Sequence, residues 1–264
     1  MARTGGLPVQ PCQDGDVGIG VRRDGNASAE SNWYRVMGVM GSIQARFAKG
    51  AVRFIAERIL AFHIEVHGQE NVPRDEPLIV VGAPHRNWPD GFLLLLAMPA
   101  LPRMWLLASE HAFSKGWRRA LLRLIGGVQP VSTTSPLNRD AITAALDILE
   151  RGDRVGIFAE GWDHLTGPPR EVGSLRRGVA FIAEHAECRV LPVALAGSKP
   201  LWRGKTLRVA IGAPMAPPPP TAHKIAQQAW NEQLRAVLQD LIPPDPPDLP
   251  VSQRRWPWLT DIFN

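Results

Sequence analysis

His85 and Asp90, five positions apart in the stretch "VGAPHRNWPDGF" (residues 81–92), are the pair in this chain best suited to proton transfer. An imidazole oriented by a carboxylate is held in one tautomer and can take a proton from a hydroxyl, which is general-base chemistry. The pair follows the apolar run "LIVV" and precedes "FLLLLAM", so a buried strand delivers the His and a helix opens at the Asp. In open α/β sheets, ligands bind at that carboxyl edge of the strands. Pro89 suits a first helical turn. That leaves Asp90 two roles: cap of the helix, or hydrogen-bond partner of His85 folded back across the turn. The spacing alone is weak, because a chain with this His and Asp content shows HxxxxD by chance in roughly one case of three. The plain alternative is a capping Asp beside a surface His.

A second strand end carries "RVGIFAEGWDH" (154–164). Glu160 there is costly to bury without a partner, and Gly161 lets the backbone turn sharply or approach a ligand closely. A solvated loop Glu is the plain alternative. Other candidates carry less. His63 and His67 in "HIEVH" are four apart, but the alternation of that segment favours a strand over a metal-binding helix, and the zincin Glu is misplaced. "GDVGIGVRR" has no strand before it, which removes a dinucleotide reading. No G-x-S-x-G elbow occurs, against an α/β-hydrolase.

Strand and helix signals that must position these loops alternate along the chain. "HIEVHG", "LIVVGA", "MWLLAS", "GVQPVS", "RVGIFAE", "RVLPVAL" and "TLRVAIG" read as strands. "DGFLLLLAM", "WRRALLRLIG", "RDAITAALDILERG", "SLRRGVAFIAEHA" and the stretch from Thr221 to Ile242 read as helices. Such βα alternation predicts an α/β fold, a mostly parallel sheet flanked by helices. Before it, from Asn32 to Phe62, Val36, Met40, Ile43, Phe47, Phe54, Ile55 and Ile59 recur at helical spacing among basic residues, predicting an N-terminal amphipathic helical extension. Its apolar face either enters a lipid interface or packs on the core. The organisation expected is a disordered leader at 1–31, a membrane-associating helical segment at 32–62, the α/β domain at 63–242, and a Pro/Trp-containing tail at 243–264.

Composition narrows the partners. The chain has 264 residues, 45% of them hydrophobic, enough for one full core. No apolar run approaches the ~20 residues of a membrane span. Two distant cysteines, Cys12 and Cys188, argue against a disulfide scaffold and suit a reducing cytoplasm. The net charge of +5 points to an anionic partner. Arg35, Arg46, Lys49, Arg53 and Arg58 form one basic stretch, and Lys115, Arg118, Arg119 and Arg123 a second. Aromatic residues are not interleaved with them as nucleic-acid stacking platforms require. A membrane surface is the better partner, on the inner face of the cell membrane, with the protein peripheral and cytoplasmic.

Taken together, the segments from about His63 to Pro214 resemble the glycerolipid acyltransferase superfamily, the glycerol-3-phosphate and 1-acylglycerol-3-phosphate acyltransferases. "HRNWPD" is similar to that family's HxxxxD block, "GGVQPVS" to its second block, "FAEGWDH" to its FPEGTR block and "VLPVAL" to its fourth, in order and spacing. The resemblance implies an O-acyltransferase moving a fatty acyl group from acyl-CoA or acyl carrier protein to a lipid hydroxyl. His85 would deprotonate the hydroxyl and Asp90 would orient it. Glu160, Gly161, Trp162, Arg86 and Asn87 would bind the acceptor or fix its pocket. It implies no metal and no organic cofactor.

Departures from the family's blocks concern the acceptor. The Arg expected near Thr133 is missing, and FPEGTR becomes "FAEGWD", with Ala159 for Pro, Trp162 for Thr and Asp163 for Arg. By resemblance those arginines hold the acceptor's phosphate, which an Asp would repel. Either Arg86, Arg139 or Arg170 supplies the cation for a lysophospholipid, or the acceptor is unphosphorylated, such as a glycolipid sugar stacked on Trp162. A thioester hydrolase, with water in place of the alcohol, and a non-catalytic membrane-binding protein are the remaining readings.

Overall fold

A computed structural model describes residues 47, 49–109, 116, 127–131, 139–160, 170–220 and 224–263. The expected leader, the basic helix around Arg118 and the residues Gly161, Trp162, Asp163 and Thr133 lie outside the described residues.

Seven strands form one sheet: β1 (His63–His67), β2 (Leu78–Ala83), β3 (Met104–Ser109), β4 (Val128–Val131), β5 (Arg154–Phe158), β6 (Val190–Ala196) and β7 (Thr206–Ile211). Their spatial order is β1-β7-β6-β2-β5-β3-β4, parallel throughout except where β7 runs antiparallel to β6. The mostly parallel α/β architecture expected from the alternation is therefore present. Every residue of β2 and β6 is buried, as in strands covered on both faces, whereas edge strand β1 alternates.

The helices are α1 (Asp90–Ala97), α2 (Arg139–Glu150), α3 (Gly178–His185), α4 (Lys224–Leu241) and the short α5 (Leu259–Phe263). Because strand side chains alternate, β2 feeds two separate cores. Leu78 and Val80 pack with Leu93, Leu94 and Leu95 of α1 on one face. Ile79 and Val81 pack with Ile148 of α2, Ile182 of α3 and Leu234 and Leu238 of α4 on the other.

Two sequence expectations change in detail. The N-terminal helix was expected to reach Phe62, but helical geometry ends with a π-turn at Ile55–Ile59. Ala61 takes a left-handed φ of 53°, which turns Phe62 into the core, and His63 then begins the sheet edge. Of the two roles open to the helix's large apolar residues, packing on the core falls to smaller ones instead. Val52, Ala56 and Leu60 pack inward, while Phe47, Phe54, Ile55 and Ile59 face solvent. At the other end, the residues expected as a tail return to the domain: Leu259 is buried in the α1-side core and the Thr260 hydroxyl bonds both the N–H and the carbonyl of Leu201.

The N-terminal helix also carries an electrostatic cost. Lys49 Nζ donates to the Met98 carbonyl (3.1 Å). Burial, and secondarily the Arg154 guanidinium, lowers the Lys49 pKa from 10.5 to about 8. Between those two values the unfolded chain binds more protons than the folded one, so this lysine makes stability rise with pH across that window. The melting temperature of the wild type, measured against Lys49→Met, should therefore climb between about pH 8 and about pH 10.5. A difference between the two that stays flat with pH would remove Lys49 from the account.

Candidate active site

Two residues past the end of β2, the chain turns through residues 85–89 before α1 starts at Asp90. Asp90 does not cap its own helix. Its carboxylate folds back, and Oδ2 accepts the backbone N–H groups of Arg86 (2.7 Å) and Asn87 (2.8 Å) and lies 3.3 Å from His85 Nδ1. The side chain is 0% exposed. A carboxylate taken fully out of water needs such compensation, and hydrogen bonds to an ionised group are the strong kind.

This fixes the chemistry available to the imidazole. An ionised carboxylate only accepts, so Nδ1 carries the proton that faces Asp90, and Nε2 is left with its lone pair. The ring is 25% exposed, so one side of it is open. Its face lies against Phe158, with ring centroids 4.2 Å apart and an interplanar angle of 22°. Phe158 reaches that place because Gly82, paired with it across β2 and β5, has no side chain. A Cβ at Gly82 would sit 2.6 Å from the phenyl ring.

Glu160 is 2% exposed and does find partners. Oε2 accepts the His85 N–H (2.7 Å) and Oε1 accepts the Gly173 N–H (2.8 Å). The carboxylate thus ties the loop at residues 85–89 to the segment at Gly173. Three consecutive backbone N–H groups, at residues 85, 86 and 87, are thereby committed to two carboxylates. None of the three is open to an oxyanion.

The other expected site residues separate by burial. Asn87 is buried, donating Nδ2–H to the Ser198 carbonyl (3.1 Å) and accepting the Trp88 N–H on Oδ1 (2.8 Å), so its side chain knits the loop to the end of β6. Arg86 is buried as well, with Nη2 donating to the Glu171 carbonyl (2.6 Å). Arg139 and Arg170 are exposed. Gly161 and Trp162 lie outside the described residues. Phe158 was not anticipated from sequence, although its signal was there: it is the last residue of β5, two before Glu160 at the same strand end.

A model of the family described as Acyltransferase matches residues 63–196. The chain belongs to the acyltransferase family. The matched span runs from the first residue of β1 to the last of β6 and contains His85, Asp90 and Glu160. This member of the family is 26% identical over 136 residues to a 1-acyl-sn-glycerol-3-phosphate acyltransferase of Streptococcus pneumoniae, a match covering 50% of this chain and 46% of that protein. The match thus spans about half the length of that curated relative. Among solved structures, the fold is similar to that of the 1-acyl-sn-glycerophosphate acyltransferase PlsC from Thermotoga maritima. The TM-score is 0.55 at 19% identity, covering 79% of this chain and 87% of that one.

If Glu160 braces the loop, Glu160→Gln should leave one of its two N–H partners facing an amide NH2. That orphaned donor should lower stability by about 1–3 kcal/mol, and turnover should fall with it. Denaturant unfolding of the two proteins measures this, and equal midpoints would show that the bracing bonds carry no weight.

Proposed function

We propose that the chain is an O-acyltransferase that moves a fatty acyl group from acyl-CoA or acyl carrier protein to the hydroxyl of a 1-acylglycerol-3-phosphate-like lipid. The observation that carries this reading is the His85–Asp90 arrangement within the acyltransferase-family span. His85 Nε2 takes the acceptor's hydroxyl proton as the oxygen attacks the thioester carbonyl. The tetrahedral intermediate collapses, the C–S bond breaks, and the imidazolium returns the proton to the departing thiolate. A thioester is already electrophilic, so a positioned base and oxyanion donors suffice, and no covalent enzyme intermediate is required. Since the N–H groups of residues 85–87 are taken, the oxyanion donors come from outside that run. Asp90 serves as the group that orients the base.

The acceptor assignment follows the printed name of the curated relative, and the neighbour of like fold has a similar one. A specific observation supports a second reading. Asp163 stands where the resembled family has an Arg, and Thr133 lies where another is expected. An acceptor without a phosphate, such as a glycolipid, fits that chemistry, with Trp162 offering a stacking surface. Gly161 would give the backbone close approach to either acceptor, whereas Arg86 is buried and donates to the Glu171 carbonyl.

A lipid acceptor resides in a bilayer, and no helix among the described residues is long and apolar enough to cross one. Peripheral attachment to the inner face of the cell membrane through the N-terminal helix is part of this reading, supported by Phe47, Phe54, Ile55 and Ile59 exposed beside Arg53 and Arg58.

Transfer of label from radiolabelled acyl-CoA to a panel of lysophospholipid, glycolipid and neutral alcohol acceptors tests the reading. His85→Ala should lower turnover by about 10²-fold or more with the fold intact. Wild-type turnover in that variant would end the mechanism, and label released only as free fatty acid would mean a hydrolase. Asp163→Arg should shift use toward phosphorylated acceptors, and an unchanged acceptor profile would discard the role given to that position.

A further inference from the structure

The C-terminal segment presents tryptophan to solvent from a rigid base. Trp256 and Trp258 are 38% and 48% exposed, their rings 5.9 Å apart and nearly parallel. Large aromatic groups left in water lose the contribution that burial would give, so such a pair marks a contact surface. The base beneath them is not loose. Buried Trp202 has Lys205 Nζ 3.7 Å and the Arg254 guanidinium 4.8 Å from its ring. Asp248 accepts from Arg254 (3.0 Å) and from Lys205 (3.5 Å). Leu259 fills the α1-side core. Trp256 itself takes a left-handed φ of 56°, a conformation a bulky residue adopts only where its surroundings impose it.

One residue joins this segment to the N-terminal helix. Arg203 donates Nε–H to the Ile59 carbonyl (3.1 Å) and its backbone N–H to the Arg255 carbonyl (2.8 Å). Its guanidinium lies 5.3 Å from the Trp256 ring. The helix ends against Arg203 on one side and the tryptophans begin on the other. Val52, Ala56 and Leu60 of the helix and Leu259 of the C-terminal segment enter the same core. Exposed Ile59 and exposed Trp256 thus flank Arg203, with Phe54, Ile55 and Trp258 exposed on the same two segments.

Charge complementarity indicates what covers these residues. The two segments, with Arg203 and Asp248 that bond to them, carry Arg53, Arg58, Arg203, Arg254 and Arg255 against Glu57, Asp248 and Asp261. Arg53 is paired with Glu57 and Arg254 with Asp248, whereas Arg58 and Arg255 are exposed and form no ion pair with a described residue. Tryptophan with arginine is the composition that settles at a lipid headgroup layer, where the rings meet the acyl boundary and the cations meet phosphate. We infer that the C-terminal segment forms, with the N-terminal helix, a two-part platform for an anionic phospholipid surface. This rests on the membrane-surface reading above and extends it to residues 250–262.

Co-sedimentation of the full chain with vesicles of phosphatidylcholine, with and without phosphatidylglycerol, tests it. Three proteins are compared: wild type, Trp256→Ala/Trp258→Ala, and Phe54→Ser/Ile59→Ser in the helix. Each variant should lower partition onto the anionic vesicles about tenfold, and the tryptophan variant should lose quenching by bromine-labelled lipid. Its turnover of a short-chain acceptor held below its micelle concentration should stay at the wild-type level, which also shows that it folds. Arg255→Glu, a purely surface change, should weaken binding to anionic but not zwitterionic vesicles. Wild-type binding by the tryptophan variant, with loss in the helix variant, would overturn the inference and leave the membrane reading standing. No binding by the wild-type chain would overturn both. A dimer in solution that the tryptophan variant dissolves would make a second copy the occupant and overturn the lipid assignment.

Discussion

The buried carboxylate of Asp90 is the constraint around which the site is arranged. Removing such a charge from water costs several kcal/mol even after relaxation, and the chain offsets this by turning two successive backbone N–H groups and an imidazole toward one oxygen. That convergence leaves the loop at residues 85–89 little freedom. The His85 ring then has a fixed tautomer, one face against Phe158 and one open side. Glu160 repeats the device on the next donor back, the His85 N–H. His85 is held by two carboxylates, one at its backbone N–H and one at its ring.

Such convergence depends on the register of three central strands. Gly82 of β2 lies beside Phe158 of β5, and Ala83 of β2 beside Ala194 of β6. Parallel neighbours end together, so the chain leaving β5 supplies Phe158 and Glu160 and the chain leaving β6 supplies the Ser198 carbonyl that Asn87 binds. An antiparallel neighbour in either place would send those residues to the opposite edge. Among the described strands, the antiparallel neighbour is β7, which pairs with β6 and β1 and with neither β2 nor β5.

Much of this was legible in the sequence, and what was not has a physical reason. Apolar runs and helical periods located the strands, the helices and the strand-end loop, because burial acts on side chains in chain order. The cost of burying Glu160 was legible too, but its partners were not, since they are backbone N–H groups at His85 and Gly173 that only the fold brings near. Arg86 and Asn87 were expected to bind the acceptor or fix its pocket, and both are buried in bonds to backbone carbonyls. A polar residue next to a catalytic one looks the same in sequence whether it meets substrate or backbone. In the N-terminal helix, periodicity found a stripe of large apolar residues, whereas the inward face is Val52, Ala56 and Leu60. Small residues let the helix lie close to the domain, and a hydrophobic pattern cannot say which of two apolar stripes is the covered one.

The core beneath that helix connects the surface to the chemistry. Val52, Ala56, Leu60 and Leu259 share one apolar layer with Leu93, Leu94 and Leu95 of α1, the helix that Asp90 opens. Packing at protein density transmits displacement, because interiors are no more compressible than organic crystals. A tilt of the N-terminal helix or the C-terminal segment therefore bears on α1 and, through Asp90, on the three hydrogen bonds that hold the His85 loop. On the proposed reading, the elements that meet lipid and the carboxylate that orients the base rest on one packed layer. Their relative position is then a property of the core rather than of a flexible linker, and an acceptor presented from a bilayer meets a base whose place relative to that bilayer is already set.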